Sequence, residues 1–328
     1  MNKCKILSQK HHKVMIGILL AAMLVFPLMG FSQYVYRIAA VSVLYAILAM
    51  SLNLIAGVAG QISLGHIAFY GIGAYTSALL CVNFGVSVWV GILAAFVVSM
   101  LFGLLIAIPT LKLSGGYLAI LTMSFAEIIR LILLNWTSVT RGPMGILNIP
   151  KPSLFGYTIK SSGAFLYLVL TVAIIVYIGL HNLIHSRFGR NLQALRDDEI
   201  SSESMGINVY RYKVIAFVIS TGVAGVAGAL FASYMEFIDP SSFISDESTV
   251  ILSMVVLGGM GNMNGSIIAA ALLTILPEAL RSFSDYRMLV YGVVLVAMML
   301  LKITDWAAIK RSLRTALNFK TGGKESGT

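Results

Sequence analysis

Long apolar runs, separated by short polar turns, limit what this chain can fold into more than any other feature. Residues 38–56 and 89–108, for example, contain no charged side chain. A helix that crosses a bilayer needs about 20 apolar residues, and these runs approach that length. Over the whole chain 58% of residues are apolar and 11% are charged, whereas soluble domains carry about 25% charged residues. The sequence therefore predicts an all-α, polytopic membrane protein.

Ten apolar segments are predicted to enter or cross the membrane, all within a single transmembrane domain, residues 1–328. The first follows a basic N-terminus and exceeds the usual signal-peptide core of about 7–15 residues, so we expect it to be retained. The eighth and ninth are short, which leaves eight spans as an alternative if both are re-entrant. The ten segments are residues 14–31, 38–56, 66–83, 89–108, 116–136, 165–184, 214–236, 248–260, 266–280 and 288–301.

The distribution of positive charge predicts the orientation of these segments. Most of the 23 Lys and Arg residues fall in the N-terminus (residues 1–13), in a polar loop (residues 186–213) and in the tail (residues 302–328). Loops rich in Lys and Arg stay on the cytoplasmic side, so we expect all three parts there. The net charge of +10 does not indicate nucleic-acid binding, because the cations are not interleaved with exposed aromatic residues.

The polar loop, residues 186–213, also carries a helix signal. Asp197 or Asp198 can cap a short helix, and Gly206 followed by Asn208 can end it. A soluble partner protein can bind a capped helix of this kind outside the membrane. A solvated linker is the alternative that these residues leave open.

Polar residues inside an apolar region mark a candidate substrate path. The stretch GVAGQISLGH, residues 57–66, contains Gly60, Gln61, Ser63 and His66 in surroundings too apolar for an ordinary loop. It predicts either a broken helix whose N–H groups can meet a carboxylate or glycines that let helices pack closely.

The fifth segment adds Thr122 and a charged pair to this candidate path. Glu127 and Arg130 lie three residues apart on one helical face, and Glu127 falls near the membrane centre. Charge there is costly unless it is paired or faces an interior. The pair indicates a polar path or a structural pair that locks two helices, and Arg130 alternatively reaches toward the outer surface.

The segment after the polar loop has a face of small residues, which suits close contact with another helix. That helix can belong to the same chain or to another subunit. The small residues are Ser220, Gly222, Ala224, Gly225, Ala227, Gly228 and Ala229.

No catalytic set appears in the sequence, so we predict that the chain is not an enzyme. It has no GxxxxGK[ST] motif and therefore does not bind ATP through a P-loop. His181 and His185 have the spacing of two metal ligands on a helix, but no third ligand is evident. We expect no metal and no cofactor.

Three blocks in order resemble the permease subunits of branched-chain amino-acid ABC importers, and specifically the M-type, LivM-like subunit. The resemblance extends over residues 38–305. It is carried by SLNLIAGVAGQISLGHIAFYGIGAYTSALL, by GGYLAILTMSFAEIIRLILLNWTSVTRGPMGI and by RFGRNLQALRDDEISSESMGINVYRYKVIAFVISTGVAGVAGAL.

The resemblance implies a subunit in a bacterial inner membrane that works with a second, H-type permease, two cytoplasmic ATPases and a periplasmic or surface substrate-binding protein. It implies inward transport of leucine, isoleucine or valine, driven by the ATPases. It also implies that the segment from Arg196 to Asn208 is the part that couples to an ATPase. The residues assigned to coupling are Arg196, Asp197, Asp198, Glu199, Glu203, Gly206 and Asn208.

Other functions remain open from the sequence alone. Related permeases carry urea, short amides or other amino acids, because substrate choice rests largely with the binding protein. Two further alternatives are a membrane enzyme that uses Glu127 or His66 and a secondary transporter driven by protons through Glu127.

Overall fold

The computed structural model describes residues 32–110, 116–154, 157–159 and 161–279, together with residues 292, 293 and 296. The predicted N-terminus, first segment and tail lie outside these residues, as does nearly all of the tenth segment. Six helical segments of the described part are long and apolar enough to cross a membrane. They are Gln33–Val58, His66–Phe84, Val88–Thr110, Gly116–Asn135, Ser162–His185 and Val209–Met235.

The described part of the chain is an all-α polytopic membrane protein, as predicted. Its helices are α1 (Gln33–Asn53), α2 (His66–Phe84), α3 (Val88–Thr110), α4 (Gly116–Asn135), α5 (Thr137–Thr140), α6 (Ser162–His185), α7 (Arg187–Asp197), α8 (Glu199–Ser204), α9 (Val209–Met235), α10 (Ser245–Gly258) and α11 (Met263–Ala279). The second to ninth predicted segments therefore all contain helix. The total of ten spans is not confirmed, because α10 and α11 are short.

The first long helix is broken, which is one of the two alternatives that residues 57–66 left open. After α1 the backbone forms a π-helical turn, Leu54–Val58, and α2 begins only at His66. Gly60 adopts a positive φ of 71° between them, a conformation that glycine reaches without the steric cost of a Cβ. We call residues 54–65 the helix break.

The core of the bundle consists of α2, α3 and α9, which pack on one another. Glycines allow this packing, because a Cβ on Gly73 or Gly228 of these helices would overlap the backbone of the neighbouring helix. The small-residue face of residues 220–229 is thus buried within this chain: Gly225 approaches Ser99 of α3, and Gly228 approaches Tyr70 of α2. Packing within one chain, rather than against another subunit, accounts for that face.

The described part of residues 137–162, which lies between the fifth and sixth predicted segments, contains short regular elements. Besides α5 it holds a 3₁₀ turn (Gly142–Met144) and three two-residue strands: β1 (Ile146–Leu147), β2 (Ser153–Leu154) and β3 (Tyr157–Thr158). Strand β1 pairs antiparallel with β4 (Phe237–Ile238), and β2 pairs antiparallel with β3. The β1–β4 pair joins this loop to the end of α9.

Helix α10 begins halfway along α1 rather than at its end. Tyr45 donates a hydrogen bond to Glu247 Oε2 at 2.8 Å, and Tyr45 lies about 18 Å along α1 from Gln33 at 1.5 Å per residue. At the far end of α10, the N–H of Gly261 donates to Asn53 Oδ1 at 2.8 Å. The 14 residues of α10 therefore lie along the second half of α1.

Candidate functional site

The polar loop, residues 186–213, folds into two short helices, α7 and α8, rather than one. Ser186 caps α7, and Asp198 caps α8 by accepting the N–H of Ser201 at 3.0 Å. Of the two aspartates that the sequence offered as caps, Asp198 is the one used. Hydrogen bonds from the Ser201 hydroxyl and N–H hold the pKa of Asp198 below its ordinary value, because they stabilise the charged carboxylate.

Both Gly206 and Asn208 were predicted to end the short helix, and only Gly206 does so. Gly206 has a positive φ of 84° just after the helix, the usual conformation of a residue that follows a helix C-terminus. Asn208 does not end α8. It begins α9 instead, because its Oδ1 accepts the N–H of Arg211 at 3.0 Å, and Asn is a preferred N-cap residue.

The outer side of α8 presents apolar side chains to solvent. Ile200 of α8 is 80% exposed, and Met205, the residue that follows the helix, is 84% exposed. Glu203 is exposed beside them and lines a groove of about 550 Å³ that continues past Gly206 to Tyr210. The groove and the two exposed apolar side chains beside it offer a surface that a soluble protein can contact.

Two of the residues assigned to coupling, Glu199 and Arg196, contact other elements of the chain. Glu199 forms an ion pair with Lys213 of α9 at 2.6 Å, and the Lys213 side chain is only 10% exposed. Sequence reasoning counted Lys213 only as a charge of the loop and missed this role. Arg196 turns toward the helix break, where its Nη1 donates to the carbonyl of Gly57 at 2.5 Å. Asp197 is exposed and lies 4.0 Å from the Nε of Arg196.

The predicted path residues of the helix break divide into two groups. Gly60 and Gln61 line a cavity of about 300 Å³ that is also lined by Arg196, Glu199 and Lys213. Gln61 is buried, and its Oε1 has no hydrogen-bond partner among the residues that the structure describes. This cavity therefore joins the first half of the break to the polar loop.

Ser63, His66 and Thr122 are fully buried and hold the other half of the break. His66 Nε2 lies 2.7 Å from Ser51 Oγ of α1, while no partner of its Nδ1 is found in the described part of the chain. Thr122 Oγ1 of α4 accepts the N–H of Leu64 at 3.1 Å. The N–H of Ile67 donates to Ser248 Oγ of α10 at 3.1 Å. These hydroxyls satisfy backbone N–H groups that the start of α2 leaves unpaired.

Sequence reasoning missed Ser51, Ser248 and Asn53, which bring α1 and α10 to the break. Each is a fully buried polar residue. A polar side chain in an otherwise apolar segment was the signal that could have found them.

Glu127 and Arg130 form an ion pair along one face of α4. Nε of Arg130 donates to both carboxylate oxygens, at 3.0 Å and 3.1 Å. The pair joins two residues of the same helix, so it does not lock two helices together. The Glu127 and Arg130 side chains remain 42% and 24% exposed. They lie on α4, most of whose residues are not buried within this chain.

The two histidines with metal-ligand spacing contact each other rather than a third ligand. Their rings stack with centroids 4.0 Å apart, and His185 Nδ1 lies 2.8 Å from the carbonyl of His181. Within the described ranges, no three His, Cys, Asp or Glu residues come together as a metal site would require.

Comparison with known proteins gives one consistent result. The family model described as "Branched-chain amino acid transport system / permease component" matches residues 34–300. The chain is 41% identical over 286 residues to the high-affinity branched-chain amino acid transport system permease protein LivM of Salmonella typhimurium, covering 80% of this chain and 67% of the relative.

Two further relatives extend the comparison. LivM of Escherichia coli is 39% identical over 316 residues, which cover 89% of this chain and 74% of the relative. The permease protein LivH of Salmonella typhimurium is 27% identical over 282 residues, which cover 79% and 90%. No solved structure matches the chain significantly.

Proposed function

The chain belongs to the family of branched-chain amino acid transport permeases, and from this premise we propose that it is the M-type permease of an ABC importer for leucine, isoleucine and valine. It works with a second, H-type permease, two cytoplasmic ATPases and a substrate-binding protein on the outer side. The observation that carries the proposal is the exposed surface of α8, built on two capped helices beside the helix break.

The ATPases dock on the outer side of α8. Ile200 and Met205 supply exposed apolar area, and Glu203 supplies charge beside the groove that ends at Tyr210. The chain has no P-loop motif of its own, so ATP hydrolysis falls to these partners. Asp198 and Gly206 shape the surface, whereas Glu199 and Arg196 attach it to the rest of the chain.

The second permease covers the exposed face of α4. A charged residue at the membrane centre costs about 2.5–3.5 kcal/mol even on the lowest scale, so Glu127 and Arg130 do not face lipid. They face the companion subunit and the water-filled path between the two subunits. The helix break, with Gly60, Gln61, Ser63, His66 and Thr122, forms the inner end of that path.

The positive charges of the polar loop support an orientation with this loop in the cytoplasm and the chain in a bacterial inner membrane. Both termini lie on the same side if the chain has ten spans. The cavity that joins Gly60 to the polar loop then opens toward the cytoplasm, where an importer releases its substrate.

The proton-coupled alternative is less well supported. It needs a carboxylate in the membrane that exchanges a proton during transport. Glu127 instead engages Arg130 through both oxygens, which favours a permanently charged pair. An importer of the same type for urea or short amides differs only in the molecule that is delivered.

Reconstitution in lipid vesicles tests the proposal. The chain, its companion permease, the ATPases and the binding protein of the same organism are assembled, and uptake of labelled leucine is measured with and without ATP. We expect uptake only when every component and ATP are present, with competition by isoleucine and valine. Competition by urea or acetamide instead would assign the other substrate class. Uptake by this chain alone, driven by a proton gradient, would overturn the proposal.

A further inference from the structure

We propose that Arg196 is a positioning residue that transmits movement of the cytoplasmic loop to the helix break, rather than a residue that contacts an ATPase. This inference rests on the proposed function, because it concerns how force from the ATPases reaches the path. Arg196 is thus separated from the residues of the coupling segment that face an ATPase, because its side chain points toward the helix break.

The first observation is the hydrogen bond that Arg196 makes. Its Nη1 donates to the carbonyl of Gly57 at 2.5 Å, across 139 residues of sequence. Gly57 belongs to the π-helical turn that ends the first long helix. Carbonyls at a helix C-terminus lack partners within the helix, and a cation there also interacts favourably with the helix dipole.

The second observation is the close packing around the guanidinium stem. A Cβ on Gly60 would lie 2.7 Å from Arg196 Cγ, and a Cβ on Gly261 would lie 3.3 Å from Arg196 Nη1. The Gly261 N–H donates in turn to Asn53 Oδ1. One side chain of the cytoplasmic loop therefore contacts both the helix break and the turn between α10 and α11.

The third observation is that α7 and α8 are anchored so that they can transmit a displacement. Leu192 and Leu195 of α7 are buried, and Glu199 of α8 is paired with Lys213 of α9. When a docked ATPase displaces this pair of helices, Arg196 carries the displacement to Gly57 and Gly60. The inner end of the path thus moves with the loop.

Two substitutions at Arg196 separate transmission from docking. Arg196→Met removes the donor and keeps a flexible stem, whereas Arg196→Gln keeps a donor for the Gly57 carbonyl without the charge. We expect leucine uptake per ATP hydrolysed to fall about tenfold in Arg196→Met, as for loss of a charged hydrogen bond, and less in Arg196→Gln. The ATPases should co-purify at wild-type stoichiometry with both variants. Arg187→Met, an exposed arginine of the same helix, is the matched control.

Either of two results would overturn the proposal. Loss of the ATPases from purified Arg196→Met complexes would show that Arg196 serves docking. An unchanged ratio of uptake to hydrolysis in both variants would show that Arg196 transmits nothing.

A disulfide offers a second test that does not depend on the folding of the Arg196→Met variant. The Cβ of Gly60 would lie 3.4 Å from the Cβ of Arg196, close to the spacing of about 3.5–4.5 Å in disulfides. In a background where Cys4 and Cys81 are alanine, Gly60→Cys with Arg196→Cys should crosslink on oxidation. We expect oxidation to restore the uptake-to-hydrolysis ratio and reduction to lower it again.

The single-cysteine variants are the controls and should not respond to oxidant. Crosslinked protein that no longer transports would mean that this contact must open during the cycle, which contradicts the proposal. Wild-type uptake of leucine in the same vesicles is measured first, so failure of the proposed function and failure of this inference give different results.

Discussion

Gly73 of α2 and Gly225 of α9 face each other so closely that a Cβ on Gly73 would lie 2.6 Å from the carbonyl carbon of Gly225. The obstacle is backbone, which cannot rotate away as the end of a side chain can. The two helices are therefore at a separation that only glycine allows. Because α2 begins where the helix break ends, the position of the break depends on this separation.

Gly73→Ala should therefore destabilise the protein. The added methyl group forces α2 and α9 apart, and overpacking of this kind costs about 1–3 kcal/mol. The thermal unfolding midpoint in detergent should fall. Gly179→Ala in α6 is the matched control, because a Cβ there meets nothing within 4 Å; alanine should leave the midpoint unchanged or raise it slightly. Equal midpoints for the two variants would contradict the assigned packing.

Gly206→Val should uncouple ATP hydrolysis from uptake while membrane insertion stays intact. Nothing lies within 4 Å of a Cβ at Gly206, so the cost comes from the backbone, whose φ is +84°. A side chain in the left-handed region costs about 1–2 kcal/mol and would distort the end of α8. Gly206→Asn, which tolerates this region better, should transport more than Gly206→Val. Normal uptake by Gly206→Val would remove the reason for assigning this loop to coupling.

The cap of α8 should depend on pH through Asp198. Because the pKa of Asp198 is lowered in the folded protein, its contribution to stability is fully present above the ordinary value of 3.8 and is lost as pH falls below it. The difference in unfolding midpoint between wild type and Asp198→Ala should thus stay constant from about pH 7 to about pH 5.

Asp198→Asn is the control for this cap, because asparagine also accepts the N–H of Ser201. It should stabilise α8 with no dependence on pH. A difference between wild type and Asp198→Ala that does not shrink as pH falls below 3.8 would mean that the carboxyl pKa is not lowered in the folded protein.

Glu127→Gln should lower uptake, because it leaves Arg130 without its partner in the membrane. We expect a reduction of about tenfold or more, since an uncompensated charge at this depth costs several kcal/mol. The double variant Glu127→Gln with Arg130→Gln removes both charges and restores neutrality. If the pair lines the path, uptake stays low in the double variant at normal membrane content. Full recovery in the double variant, or unchanged uptake with lower stability in the single one, would favour a structural role.

The sequence predicted the position of the helices better than the direction of their polar side chains. Apolar runs gave α2 and α3 to within one or two residues, because the bilayer sets the length of a span. Clustered glycines between Gly57 and His66 indicated either a break or close packing, and the structure shows both. The start of α10 beside Tyr45 was not predictable, because pairing with a residue 202 positions away leaves no local pattern.

The site shows the same division between local and distant contacts. Asp198 and Gly206 were assigned correctly as cap and helix end, because capping acts over a few residues. Arg196 was assigned to coupling with an ATPase, and Lys213 was counted only as a charge of the polar loop. Their partners, Gly57 and Glu199, are brought to them by the fold, and one sequence alone does not contain that pairing.

The half-exposed pair on α4 also has a consequence for biosynthesis. A copy inserted without its companion leaves Glu127 and Arg130 against hydrocarbon, so we expect it to be an unstable intermediate that membrane proteases clear. Pulse-chase labelling should give a shorter half-life for the chain produced alone than for the chain produced together with the H-type permease. Equal half-lives would mean that this face needs no companion. A shorter half-life for the chain produced alone would instead mean that it persists in the cell only where its companion is made in matching amounts.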